Sequence, residues 1–175
     1  SFEIKADIDY KELEHKSDTL LDLIKLGKMY KDEDKNKYAF NYEGLHNIVG
    51  PLEELNNVIG MDKVKKNIIN QKIYFLLNLE PSTNMLHTVL QGPPGVGKTM
   101  LGQILSKIYH KMGIIKGNKH ITDNTMKIYK RSDLIGQYLG HTAIKTQQAI
   151  DDCIGSVMFI DEAYSLGNSS SSEKG

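Results

Sequence analysis

The run GPPGVGKT, from Gly92 to Thr99, constrains this 175-residue chain more than any other feature. It satisfies G-x-x-x-x-G-K-[ST] at every fixed position. The apolar segment HTVLQ (87–91) leads into it, and Leu101, Ile104, Leu105, Ile108 and Met112 follow on one helical face before Gly113. The spacing predicts strand, loop, helix, with Gly113 ending the helix. A loop that wraps a polyphosphate must turn consecutive backbone N–H groups inward, so glycine is needed where φ is positive or a Cβ would collide. Gly92, Pro93, Pro94, Gly95, Val96 and Gly97 form that loop, with Gly95 and Gly97 supplying the freedom and Val96 only its backbone. Lys98 is expected to reach the β- and γ-phosphates, Thr99 to ligate Mg²⁺ through its hydroxyl, and Met100 to join the nucleotide-contacting set.

A complementary signal lies in SVMFIDEA (156–163). The apolar run from Val157 to Ile160 reads as a strand buried on both faces, which delivers Asp161 and Glu162 to its C-terminal edge. Ligands of open α/β sheets bind at that edge. Asp161 is expected to hold Mg²⁺ through its water. Glu162, pointing to the opposite side by strand alternation, is expected to polarise the attacking water. A glutamate in this place favours a hydrolase over a kinase or a passive switch.

The remaining patterning divides the chain. Leu13, Leu20, Leu23, Ile24 and Leu26 predict a helix from about Asp9 to Met29, followed by the charged connection KDEDKNK (31–37). In that connection Asp32, Asp34, Asn36 and Glu43 fall at calcium-loop positions. Lys37 stands where the tight turn wants glycine, so calcium is set aside. A second helix is expected from Met61 to Leu79, its face built from Val64, Ile68, Ile69, Ile73, Phe75, Leu76 and Leu77, with Pro81 ending it. Strands are expected at HTVLQ, MKIYK (126–130) and SVMFID (156–161), with helices near 98–112 and 142–153. Strands alternating with helices imply an α/β fold with a parallel sheet.

Hydrophobic content of 39% and charged content of 25% fit a folded domain, and a net charge of zero removes the global electrostatic case for nucleic acid or anionic membrane. Cys153 is the single cysteine and no apolar run is long enough to span a bilayer, so an intracellular, cytoplasmic setting is expected. Arg131 is the only arginine. Nothing in the His and Cys spacing suggests zinc. The start at Ser1 and the polar ending SLGNSSSSEKG read as those of a trimmed piece. The many Lys, Ile and Asn residues are compatible with an AT-rich genome such as that of a large DNA virus.

GPPGVGKT, RSDLIGQYLGHTAIKT and SVMFIDEA, in that order, resemble the AAA+ ATPases, most nearly the CbxX/CfqX branch that includes the red-type Rubisco activase and the stage V K sporulation protein. The similarity runs from about Leu55 to Leu166 and takes in ELNNVIGMDKVKKNI. It implies a P-loop NTPase fold: a parallel sheet with flanking helices, C-terminally truncated at Gly175 and preceded by a helical extension. On this reading residues 1–45 are the extension and charged linker, and 46–175 the first part of the ATPase module. The resemblance also implies that Val58, Ile59 and Gly60 line the adenine pocket. Tyr138, Leu139 and Gly140 would form a pore-facing trio in a ring, a hexamer, that threads or remodels a protein, with Tyr138 gripping the chain. His141 is read as a local hydrogen-bonding partner. Arg131 matches a family position before the loop and is not placed as an arginine finger, which lies downstream in the family. HTVLQ would pair in the family with strands that follow SVMFID. Two rival functions stay open at this stage: a nucleotide-dependent assembly switch or scaffold with little hydrolysis, and a DNA-acting AAA+ ATPase.

Overall fold

Thr19 marks where the first helix begins, because its backbone is extended (φ −126°, ψ 160°) and its hydroxyl accepts from the Asp22 N–H at 3.2 Å. The Asp22 carboxylate in turn accepts from the Thr19 N–H at 3.1 Å, closing a reciprocal capping box. Helix α1 is therefore Leu20–Lys28; the helix expected from about Asp9 to Met29 is interrupted at the extended Thr19, and its part before Thr19 lies outside the described residues. A threonine with an acid three residues on satisfies two orphan helix donors, which favours a start over a passage. The computed structural model describes residues 19–35, 37–38, 40–73, 87–92, 95–115, 126–138 and 140–162. Leu13, Asn36, Phe75, Leu76, Leu77, Pro81, Pro93, Pro94, Leu139 and the segment from 163 onward lie outside the described residues. Two compact units divide the chain, Ser1–Leu90 and Gln91–Gly175.

In the first unit, α1 packs on α2 (Tyr42–Asn47) and α3 (Val49–Asn57). Leu23, Leu45, Ile48, Leu52 and Leu55 are fully buried between them. At roughly 1.5–3 kcal/mol for each fully buried aliphatic side chain, this small core outweighs the exposed Lys28–Glu53 ion pair joining α1 to α3. Gly27 lets the helices approach, since a Cβ there would stand 2.6 Å from Val49 Cγ2 and 3.2 Å from the Leu45 carbonyl oxygen. The Tyr42 hydroxyl donates to the Leu26 carbonyl at 3.0 Å, and the rings of Tyr30, Tyr38 and Phe40 each lie 5.2 Å from that of Tyr42. These aromatics anchor both ends of the charged connection, whose Lys35 donates to Glu43 at 2.9 Å. The second predicted helix appears as α4 (Asp62–Ile68), continued by a π turn over Ile69–Ile73.

The second unit is α/β, as expected. Helix α5 (Lys98–Lys111) starts at Gly97 (φ +88°) and buries Leu101, Ile104, Leu105 and Ile108. Met112 caps it and Gly113 (φ +73°) turns the chain, with the Gly113 N–H bonded to His110 and the Ile114 N–H to Tyr109 in a Schellman arrangement. Strands β1 (Met126–Tyr129) and β2 (Val157–Ile160) pair in parallel, Met126 opposite Val157 and Tyr129 opposite Ile160. Between them run α6 (Arg131–Leu134) and α7 (His141–Asp152), and Gly155 (φ +81°) turns α7 into β2.

Two strand expectations are corrected. HTVLQ carries no regular structure, Val89 is 82% exposed, and the ladder among the described residues joins only β1 and β2. An extended segment becomes a strand only through such a ladder. Likewise β2 is half-buried along its length and exposed at Ile160; among the described residues only β1 pairs with it.

Helix α5 lies against the sheet through Gly102. A Cβ at Gly102 would meet the Phe159 ring at 2.7 Å and the Met126 sulfur at 3.1 Å. Gly102→Val should therefore destabilise the chain by about 1–3 kcal/mol through overpacking. Thermal unfolding should register this as a lower midpoint, and an unchanged midpoint would show that the helix is free to move off the sheet.

Candidate functional site

Gly95 (φ +80°) and Gly97 (φ +88°) both hold the left-handed backbone that the phosphate-loop reading requires. At Gly95 nothing lies within 4 Å of where a Cβ would stand, so conformation and not space demands glycine there. Gly92 differs, because Val96 Cγ2 lies 3.3 Å from its Cβ position. The Lys98 ammonium donates to the Gly92 carbonyl at 2.8 Å, which holds the side chain across the mouth of the loop. Thr99 follows in the first turn of α5, half-buried, and Met100 is 43% exposed. Fourteen residues of helix put their partial positive charge behind the loop.

Asp161 and Glu162 leave the C-terminal end of β2. The Asp161 N–H bonds the Tyr129 carbonyl at 2.9 Å, carrying the parallel ladder one step beyond β2. Asp161 Oδ1 accepts from the Glu162 N–H at 3.0 Å. Strand alternation does not extend to Glu162, which occupies a turn at φ +54°. A non-glycine residue held there costs of the order of 1–3 kcal/mol and persists only where its surroundings impose it. Among the described residues no group of three or more His, Cys, Asp or Glu is gathered as a metal cage.

Tyr138 is 71% exposed. His141 stands edge-on to it, ring centroids 5.4 Å apart, and the His141 N–H donates to the Tyr138 carbonyl at 3.1 Å, so His141 is the local partner expected. Gly140 (φ +84°) starts α7. The glycine missed in importance is Gly136. A Cβ at Gly136 would collide with the Cβ of His141 and stand 2.7 Å from the Thr142 nitrogen, and the Gly136 N–H donates to the Thr142 hydroxyl at 3.0 Å. This glycine serves close packing of the loop root on α7; its dipeptide IG carries no turn signature that sequence reading recognises.

Of the expected base-contacting trio in the first unit, Val58 is buried, Ile59 is 95% exposed, and Gly60 (φ +72°) precedes Met61 (φ +57°) at the start of α4. The Lys65 ammonium donates to the carbonyls of Val58 and Asn56, fixing this turn. Cys153 is buried. Burial, aided by a side-chain hydrogen bond with Cys153, pushes the Tyr129 phenol above its ordinary pKa. No helix among the described residues is long and apolar enough to cross a membrane.

The family described as "ATPase family associated with various cellular activities (AAA)" matches residues 88–175. The putative cfxQ-like protein R730 of Acanthamoeba polyphaga mimivirus is 44% identical over 149 residues, 84% of this chain and 35% of the relative. Stage V sporulation protein K of Bacillus subtilis is 33% identical over 132 residues, 71% of this chain and 39% of that protein. The ESX-3 secretion system protein EccA3 of Mycobacterium tuberculosis is 36% identical over 120 residues, 65% of this chain and 18% of that protein. The chain thus spans little more than a third of the first two relatives and under a fifth of the third. The similarity reaches several branches and does not single out one.

Proposed function

The chain belongs to the AAA family of ATPases, and we propose that it binds Mg·ATP, assembles into a hexameric ring that hydrolyses it, and uses the cycle to thread or remodel a protein substrate. The observation that carries this reading is that one unit holds both a glycine-turned loop at the start of α5 and two carboxylates at the end of a parallel strand. In the proposed site, loop N–H groups from Gly95 to Thr99 cradle the phosphates, and Lys98 exchanges the Gly92 carbonyl for phosphate oxygens. Val58, Ile59 and Gly60 are proposed to meet the base, Ile59 having the exposed side chain.

The donor set fits magnesium. A hydroxyl (Thr99) and a carboxylate (Asp161) are what a hard cation uses when phosphates and water fill its other positions, so no three-carboxylate cage is needed. When bound, Mg²⁺ neutralises charge on the β- and γ-phosphates. Glu162 takes the proton of the attacking water, and Asp161 fixes the Glu162 backbone through its 3.0 Å contact.

Tyr138, with Leu139 and Gly140, is proposed as the gripping element; the exposed ring offers a flat, sequence-tolerant contact to a passing polypeptide. Names that speak of sporulation and secretion among the relatives are compatible with work on proteins. Zero net charge favours a polypeptide over DNA, and the buried lone cysteine suits a reducing, cytoplasmic setting. The test is Tyr138→Ala in the full protein, with fluorescently labelled casein as an unfolded-protein probe. ATP turnover should persist while stimulation by casein falls at least tenfold. If Tyr138→Ala keeps its full response to protein while Lys98→Ala loses it, threading is wrong and a nucleotide-dependent switch takes its place.

A further inference from the structure

One cavity of about 560 Å³ in the second unit has Glu162 in its wall together with Lys130, Arg131, Lys145, Ser132 and the loop root at Gly136. Three basic residues and one acidic residue thus line it, a formal excess of two positive charges. None of the three cations makes an ion pair among the described residues. Asp133, the other acid nearby, lines a separate cavity with Gln103 and Tyr129, and its carboxylate accepts from the Lys130 N–H at 2.8 Å. Arg131 is the only arginine of the chain, so its one planar fork suited to bidentate oxyanion recognition lines this cavity. The Lys145 ammonium is held at the wall by long contacts to the carbonyls of Ser132 (3.4 Å) and Ile135 (3.5 Å), while Thr146 donates to Leu134 at 3.2 Å and ties α7 to the end of α6.

We infer that this cavity is a second oxyanion site, distinct from the phosphate loop, which takes inorganic phosphate. The charge excess matches a phosphate dianion, and the Ser132 hydroxyl adds a neutral donor of the kind phosphate accepts. Its position beside Glu162 makes the phosphate cleaved from ATP the natural occupant; that source rests on the hydrolysis proposed above, whereas the site itself does not.

The experiment is calorimetric titration of the full chain with inorganic phosphate in the absence of nucleotide, at fixed ionic strength. Lys98→Ala, which disables the phosphate loop, should retain saturable phosphate binding. Lys145→Ala and Arg131→Met, made in that background, should each weaken it at least tenfold, and Lys145→Arg should restore most of the loss. Circular dichroism of each variant separates loss of binding from loss of fold. Binding that vanishes in Lys98→Ala, or that survives Lys145→Ala and Arg131→Met unchanged, would overturn the second site. A wild-type chain that binds phosphate in this pattern but not ATP would retain the cavity assignment and defeat the ATPase proposal instead.

Discussion

Lys98→Ala is expected to weaken ATP binding by roughly two orders of magnitude, about 2.7 kcal/mol, while leaving the fold in place. The ammonium sits at the first position of α5, directly after Gly97, and its 2.8 Å hydrogen bond to the Gly92 carbonyl is exposed. Losing that bond costs about 1 kcal/mol or less. Losing a cation aimed at the β- and γ-phosphates removes charge-assisted bonds that backbone N–H groups alone do not replace. Titration with a fluorescent ATP analogue measures the effect. Wild-type affinity in the variant would mean that the loop does not hold the phosphates as described.

Glu162→Gln should separate binding from chemistry. Gln keeps the size and hydrogen-bonding reach of Glu, tolerates the left-handed backbone no worse, and loses only the ability to accept a proton from water. ATP should therefore bind as in wild type while turnover falls by about 10²–10⁴, or roughly 3–5 kcal/mol in the barrier. Phosphate release at the wild-type rate would remove Glu162 from the general-base role.

The second unit was largely legible from local pattern because its determinants are local. A glycine with positive φ stands at each end of α5, and the apolar runs at Met126–Tyr129 and Val157–Ile160 became strands within a residue or two of the expected limits. What escaped depends on groups distant in sequence. HTVLQ has strand composition, yet composition does not supply a ladder. The need for glycine at 136 emerges only when the backbone of His141 and Thr142 is brought against it. Glu162 carries no propensity for φ +54°, so period-two alternation wrongly carried the strand one residue too far. The Thr19–Asp22 capping pair is a local signal for a helix start, but apolar spacing alone runs straight across it. The cavity holding Lys130, Arg131, Lys145 and Glu162 draws on α6, α7 and the end of β2, and no motif spans all three.

The most direct test of the central claim is ATP turnover per subunit as a function of protein concentration, with Glu162→Gln as the blank. Active sites completed between subunits predict a specific rate that rises with concentration and is absent in the variant. ATP binding without turnover at any concentration would contradict the ring motor and leave a nucleotide-dependent switch.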